Sequence, residues 1–226
     1  MEKVLFCWSG GKDSALALHE IMQSQTYEIV SLLTTITEDY GRVSMHGVPR
    51  VLLEEQAGCL GLPLETVYIP KECSVEEYGT RMEETLTRFR QDGVSSVVFG
   101  DIFLEDVRKY REDNLAQAEM RAVFPLWGRD TATLARSFVA LGFKAIVTCL
   151  DSRVLDKRFI GRTIDESFLS ELPPGVDPCG ENGEFHSFVL DGPIFRERVV
   201  CVPGEVVLRD LFYFCDLLQK EVATTS

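Results

Sequence analysis

The sequence predicts an α/β protein: a doubly wound, parallel five-stranded sheet in the first half, then a second, smaller α/β unit. Three observations carry this. Strand-like and helix-like stretches alternate up to about residue 127, the pattern of right-handed βαβ units with helices on both faces of a sheet. Glu28 to Ile36 is a near-continuous apolar run, as expected of a strand buried on both faces. Finally, the apolar run Val4 to Trp8 enters Ser9-Gly10-Gly11-Lys12-Asp13-Ser14 and then an Ala/Leu-rich stretch, which reads as a strand, a glycine turn and a helix start.

Taken in order, residues 3–8 form the first strand and 13–24 the first helix, with Ala15, Leu16, Leu18 and Ile21 on its apolar side. Asp13 or Ser14 can cap that helix. After the strand at 28–36, Thr37 to Val43 is a polar loop leading to Ser44-Met45-His46-Gly47-Val48-Pro49. Pro49 suits the first turn of a helix reaching Leu60, which Gly61 ends. Leu64 to Ile69 is a strand, Val75 to Arg90 an amphipathic helix, Ser96 to Phe99 a strand ending in Gly100-Asp101, and Glu105 to Met120 a helix. Val123 to Trp127 supplies the fifth strand. Beyond it the alternation weakens: a helix over Thr131 to Leu141, a strand over Ala145 to Leu150, and a helical turn over Phe168 to Leu172. Two more β-rich segments follow, Glu184–Leu190 and Val199–Val207, the second interrupted by Pro203-Gly204. The expected domains are therefore 1–126 and 127–226.

In such sheets ligands bind beyond the carboxyl ends of the strands, at the switch point. Ser9 to Ser14, Thr34-Thr35 and Gly100-Asp101 all fall at that edge. Composition excludes several other roles. With 36 Asp/Glu against 23 Lys/Arg the net charge is −13, which disfavours direct nucleic-acid binding. No apolar run reaches the roughly 18 residues needed to span a membrane. The N-terminus is not a signal peptide, because its short apolar run is broken by Gly and Lys. Seven dispersed cysteines without a Cys-x-x-Cys pair read as reduced thiols of a cytoplasmic protein. The sequence leaves monomer and homodimer both open.

A strand, a glycine turn and a helix N-terminus offer N–H groups and a positive dipole end to an anion. The Walker A spacing fails here, since Phe6 stands where the first Gly belongs and Asp13 where Ser or Thr belongs. The dinucleotide fingerprint is absent too. Ser9-Gly10-Gly11-Lys12-Asp13-Ser14 instead resembles the pyrophosphate loop of the ATP pyrophosphatase superfamily, whose members cleave ATP between the α and β phosphates.

The second informative stretch is Cys179-Gly180-Glu181-Asn182-Gly183-Glu184-Phe185-His186, two carboxylates, an Asn and a His among glycines. Its residues suit binding of a cation, an amine or ammonia, or general-base work; a plain acidic surface turn has the same composition. Together with Met45-His46-Gly47, Gly100-Asp101-Ile102, Pro125-Leu126-Trp127, Leu155-Asp156 and Gly161-Arg162, this block resembles the diphthine–ammonia ligase (diphthamide synthetase) family. The resemblance covers nearly the whole chain in order.

That resemblance implies an ATP- and Mg²⁺-dependent ligase. The carboxylate of diphthine on elongation factor 2 is adenylated, pyrophosphate leaves, and free ammonia displaces AMP to form the amide. It implies that Ser9, Gly10, Gly11, Lys12, Asp13 and Ser14 hold the phosphates, and that Thr34, His46, Gly100 and Asp101 line the nucleotide. Asp13 and Asp101 are the candidate metal ligands. Lys12, Asp13, Glu181 and Glu184 are the candidate catalytic groups, and Asn182, Gly183, Glu184 and His186 would meet the substrate. The alternatives are amidation of a small-molecule carboxylate, should the source be bacterial, and a non-catalytic adenine-nucleotide sensor.

Overall fold

The computed structural model describes residues 1–38, 42–43 and 48–219. Strand β1 (Glu2–Cys7) is central, flanked by β2 (Tyr27–Thr37) and β5 (Ser96–Val98). β4 (Leu64–Ile69) lies outside β2 and β6 (Arg121–Val123) outside β5, and these five strands are all parallel. A two-residue strand, β3 (Arg42–Val43), pairs antiparallel with the end of β2. The chain thus winds outward from β1 to one edge and returns to β5 on the other side. The carboxyl ends of β1 and β5 form the switch point. One loop there joins β1 to α1 (Lys12–Ser24), and the other precedes α4 (Glu105–Gln117).

Alternation along β1 shows how the sheet is buried. Val4, Phe6 and Trp8 enter one core cluster, while Leu5 enters another. The second cluster is closed by α3 (Val75–Gln91) and α4 through Leu86 and Leu115. The first contains α1, α2 (Arg50–Leu60) and much of the second half of the chain. There, β7 (Lys144–Asp151), β8 (Phe185–Asp191), β9 (Cys201–Arg209) and β10 (Phe212–Gln219) form an antiparallel sheet in the order β8-β7-β10-β9. Helices α5 (Thr131–Ala140) and α6 (Glu166–Glu171) complete it. Phe138, Phe143, Phe185 and Phe188 share one apolar core with Phe6, Trp8, Leu52 and Leu53, so no solvent layer separates the two sheets at this face.

Several expectations are corrected. The cap of α1 is Gly11, not Asp13 or Ser14, so the cap residue itself offers no side chain to the helix start. Helix α4 ends at Gln117 because Glu119 turns into the left-handed region at φ 51°. The fifth strand is Arg121–Val123, while Trp127 N–H closes a turn onto the Phe124 carbonyl beside Pro125. Pro203-Gly204 does not interrupt β9, because β9 is an edge strand, where proline is tolerated. Strand β10 was not expected at all. Other ends fall as expected, including Gly61 at φ 70° closing α2 and the start of α3 at Val75, where Ser74 accepts Glu77 N–H. Among the described residues no helix is long and apolar enough to cross a membrane.

Candidate functional site

The loop after β1 is shaped by Gly10, whose φ of 78° a side chain rarely adopts. A Cβ there would also stand 2.7 Å from Gln56 Oε1 and 2.8 Å from Leu53 Cδ2. The turn delivers Ser9 and Ser14 side by side, hydroxyl to hydroxyl at 3.1 Å. Gly11 N–H donates to Ser9 Oγ at 3.3 Å, and Ser14 Oγ donates to the Gly11 carbonyl at 2.9 Å. Lys12 N–H donates to Ser187 Oγ of β8 at 3.2 Å. Helix α1 starts here, so its unpaired N–H groups and dipole face this edge.

The loop after β5 closes against the same turn. A Cβ on Gly100 would lie 3.0–3.1 Å from the backbone of Asp13 and Ser14, a separation that only glycine accommodates without a shift. Asp101 is ion-paired with Arg111 of α4, 2.7 Å between Oδ2 and Nε, and that guanidinium lies 4.4 Å from the Phe99 ring centroid.

The Lys12 side chain is 4% exposed. Its ammonium donates to both Asp13 carboxylate oxygens, at 2.8 and 2.7 Å, and to the Cys179 carbonyl. It also lies 5.4 Å from the Phe185 ring centroid. Burial works against the lysine's charge, but the Asp13 carboxylate beside it, with Cys179 and Glu181, carries its pKa above the ordinary value. Burial pushes the Asp13 carboxyl up, against the pull of Lys12.

As arranged, Asp13 and Asp101 do not fit a resident Mg²⁺. Each carboxylate is already held by a cationic side chain. Among the described residues no group of three or more His, Cys, Asp or Glu stands ready for a metal.

The block from Asp177 to Ser187 arrives from the second sheet. Glu181 reaches across to the β5 loop, where its carboxylate accepts the Ile102 N–H at 2.7 Å. Burial, helped by nearby Asp13, raises its pKa to about 7 against the pull of that N–H. Glu184 is used differently. It is 6% exposed, and its carboxylate accepts Asp177 N–H, Asn182 N–H and the Asn182 side-chain amide, each at 3.0 Å. Asp177 in turn accepts Glu181 N–H at 2.8 Å. Burial lowers His186 to about 4, so its imidazole is neutral at physiological pH, and Lys12 adds to that shift. Burial pushes the Cys179 thiol up to about 12.

Glu184 therefore braces the loop that presents Glu181. Glu184→Gln would set an amide N–H₂ against a backbone N–H, since both carboxylate oxygens accept donors. The expected cost is about 1–3 kcal/mol, read as a lowered Tm. An unchanged Tm would contradict this bracing.

The structure thus brings together Ser9 to Ser14, Gly100, Asp101, Glu181 and His186 at one edge. Asn182 and Gly183 lie in the same loop, with Asn182 turned to Glu184. Thr34 is buried in β2, opposite Thr66 of β4, one strand away from the β1–β5 gap. His46 lies outside the described residues. Residues given no role from the sequence also contribute: Gln56, Ile102, Arg111, Asp177, Cys179 and Ser187. Gln56 had a readable signal, a polar residue on the helix face otherwise formed by Leu52, Leu53, Ala57 and Leu60. Ile102 acts through its backbone, so its residue type gave no signal for this contact.

Comparison with known proteins identifies the family of both halves of the chain. Residues 2–121 match the family model of the diphthamide synthase N-terminal domain, and residues 130–221 that of the diphthamide synthase C-terminal domain. The chain is 26% identical over 223 residues to a mouse (Mus musculus) protein named diphthine–ammonia ligase, covering 88% of this chain and 83% of that one. A zebrafish (Danio rerio) protein of the same name is 28% identical over 225 residues, covering 88% and 86%. A fission yeast (Schizosaccharomyces pombe) protein so named is 26% identical over 237 residues, which are 96% of this chain and 39% of the yeast one.

Proposed function

The chain belongs to the diphthamide synthase family, and on that premise we propose that it is an ATP-dependent ligase that converts a carboxylate to an amide with ammonia. The observation that carries this reading is the bond from Ile102 N–H to Glu181. It sets a carboxylate with a pKa of about 7 beside a loop built to take phosphates.

In this reading ATP arrives as its Mg²⁺ complex, and no step is assigned to a resident metal. The N–H groups at the start of α1 and the Ser9 and Ser14 hydroxyls take the β and γ phosphates and stabilise the departing pyrophosphate. An acceptor carboxylate oxygen attacks the α phosphorus and pyrophosphate leaves. Ammonia then attacks the acyl carbon, the bond to AMP breaks, and Glu181 takes the proton that the nitrogen sheds. Lys12, held against Asp13, supplies positive charge between the two half-reactions. Neutral His186 and Asn182 border the acceptor. Glu184 holds the loop rather than moving protons.

The name that the relatives carry, diphthine–ammonia ligase, supports diphthine, a carboxylate displayed on a protein, as the acceptor class. Residues 1–126 then form the nucleotide unit and 127–226 the acceptor unit, and seven free thiols suit work in the cytoplasm. Incubation with ATP, Mg²⁺, ammonium and a diphthine-bearing protein is expected to yield AMP and pyrophosphate with one amide per AMP. ADP and phosphate as the products would refute the ligase assignment.

A further inference from the structure

Gln56 is fully buried, yet it lies among apolar neighbours on α2. Its amide can be oriented in only one way. The Trp8 indole N–H is a donor only, so Oε1 faces it, at 2.9 Å. Nε2 then donates both its hydrogens, to the Gly10 carbonyl at 3.1 Å and the Val189 carbonyl at 2.6 Å. Val189 N–H also donates to the Gly10 carbonyl, at 2.9 Å. That carbonyl is held from α2 and β8 at once.

The consequence lies on the far side of the peptide. Among the described residues no peptide bond is cis. In a planar trans peptide the N–H points opposite to the C=O. Holding the Gly10 carbonyl toward Gln56 and Val189 therefore turns the Gly11 N–H the other way, toward the Ser9 and Ser14 hydroxyls. A peptide between two glycines otherwise flips with little steric cost. We propose that Gln56 is a positioning residue for phosphate binding. It locks the Gly10–Gly11 peptide with its N–H facing the ATP phosphates and ties that peptide to β8, the strand that follows the Glu181 loop. This rests on the reading that the loop takes the phosphates of ATP.

The test uses Gln56→Met, which keeps the length and volume of the side chain but removes its amide. Binding of ATP and of pyrophosphate is measured by calorimetry, well below Tm. Both are expected to weaken by roughly tenfold, the scale of one hydrogen bond to a charged oxygen, with KM for ATP raised and kcat largely kept. Trp8→Phe removes the donor to Oε1 but leaves both bonds to the Gly10 carbonyl, so it should lower Tm without changing ATP affinity. A Gln56→Met protein that melts earlier but binds ATP like wild type overturns the inference and leaves the proposed function standing. Wild-type protein that binds neither ATP nor pyrophosphate overturns both. Should Gln56→Met fail to fold, the wild type itself decides. Pyrophosphate at Gly11 N–H polarises the chain of bonds through Gly10 and Gln56, so the Trp8 indole N–H resonance is expected to shift on titration. A Trp8 signal that stays still while pyrophosphate binds overturns the inference.

Discussion

Glu181→Gln is expected to cut amide formation by about 10²- to 10⁴-fold, the range for a lost acid–base group, while ATP affinity stays near that of wild type. The phosphates are assigned to Ser9 through Ser14, and Glu181 touches the β5 loop through Ile102 N–H instead. Gln preserves that contact, because its carbonyl oxygen can accept the same N–H. The pH dependence gives a second, independent signature. A base with a pKa of about 7 is protonated below that pH and free above it. The wild-type rate, taken at constant free-ammonia concentration, should therefore fall as pH drops through about 7. The Gln variant should lack this limb. Equal rates, or a limb that survives the substitution, would remove Glu181 from the chemistry. A large loss of ATP affinity would instead make it part of the nucleotide pocket.

Lys12→Met is expected to damage both stability and rate. The ammonium holds both Asp13 oxygens and the Cys179 carbonyl in a site where the lysine is 4% exposed. Removing one partner of a buried ion pair costs about 3–5 kcal/mol. The lower end applies here, since Asp13 is 28% exposed and water can partly replace the lysine. The rate should fall by about 10²- to 10³-fold, as for loss of a group that stabilises developing charge. The decisive comparison is with the double variant. Adding Asp13→Asn to Lys12→Met removes the stranded carboxylate, so the double variant should melt above the single one although it carries one more substitution. If it melts lower, the pair is not coupled as the geometry states.

Much of this site could be read from the chain. Ser9 through Ser14 announced themselves because a strand–glycine turn–helix motif is local. A strand, two glycines and a helix start lie in consecutive residues, and each residue type has one structural reason to be there. Glu181 and Glu184 stood out for the same reason, as acids spaced among glycines. Their separate roles did not. Both are glutamates in one loop, three positions apart, yet one carboxylate accepts three donors from its own loop and the other reaches the opposite sheet. Asp101 was legible as a strand-end acid, but its ion pair with Arg111 was not, because the i to i+10 spacing runs from a loop into a helix. The helix carrying Arg111 reads from sequence as a solvated face. The missed strand β10 pairs with β7 some sixty residues earlier in the chain, which no local pattern encodes.

The sequence by itself determined the wound parallel sheet, the order of its strands' helices, the glycine turn at Ser9 to Ser14 and the family resemblance. Each of these rests on periodicity or on residues adjacent in the chain. Only the tertiary structure decided that the second sheet packs directly onto the loop after β1. That contact is made by Ser187 Oγ on Lys12 N–H, by Val189 N–H on the Gly10 carbonyl, and by Gln56 between them. The partners lie up to 179 residues apart, Gly10 to Val189. All three contacts use backbone atoms on at least one side, and nearly every residue type has the same backbone N–H and carbonyl. The physical reason the site was only half legible is that its glycines and acids are chemical identities, whereas its assembly depends on where otherwise ordinary peptide groups point.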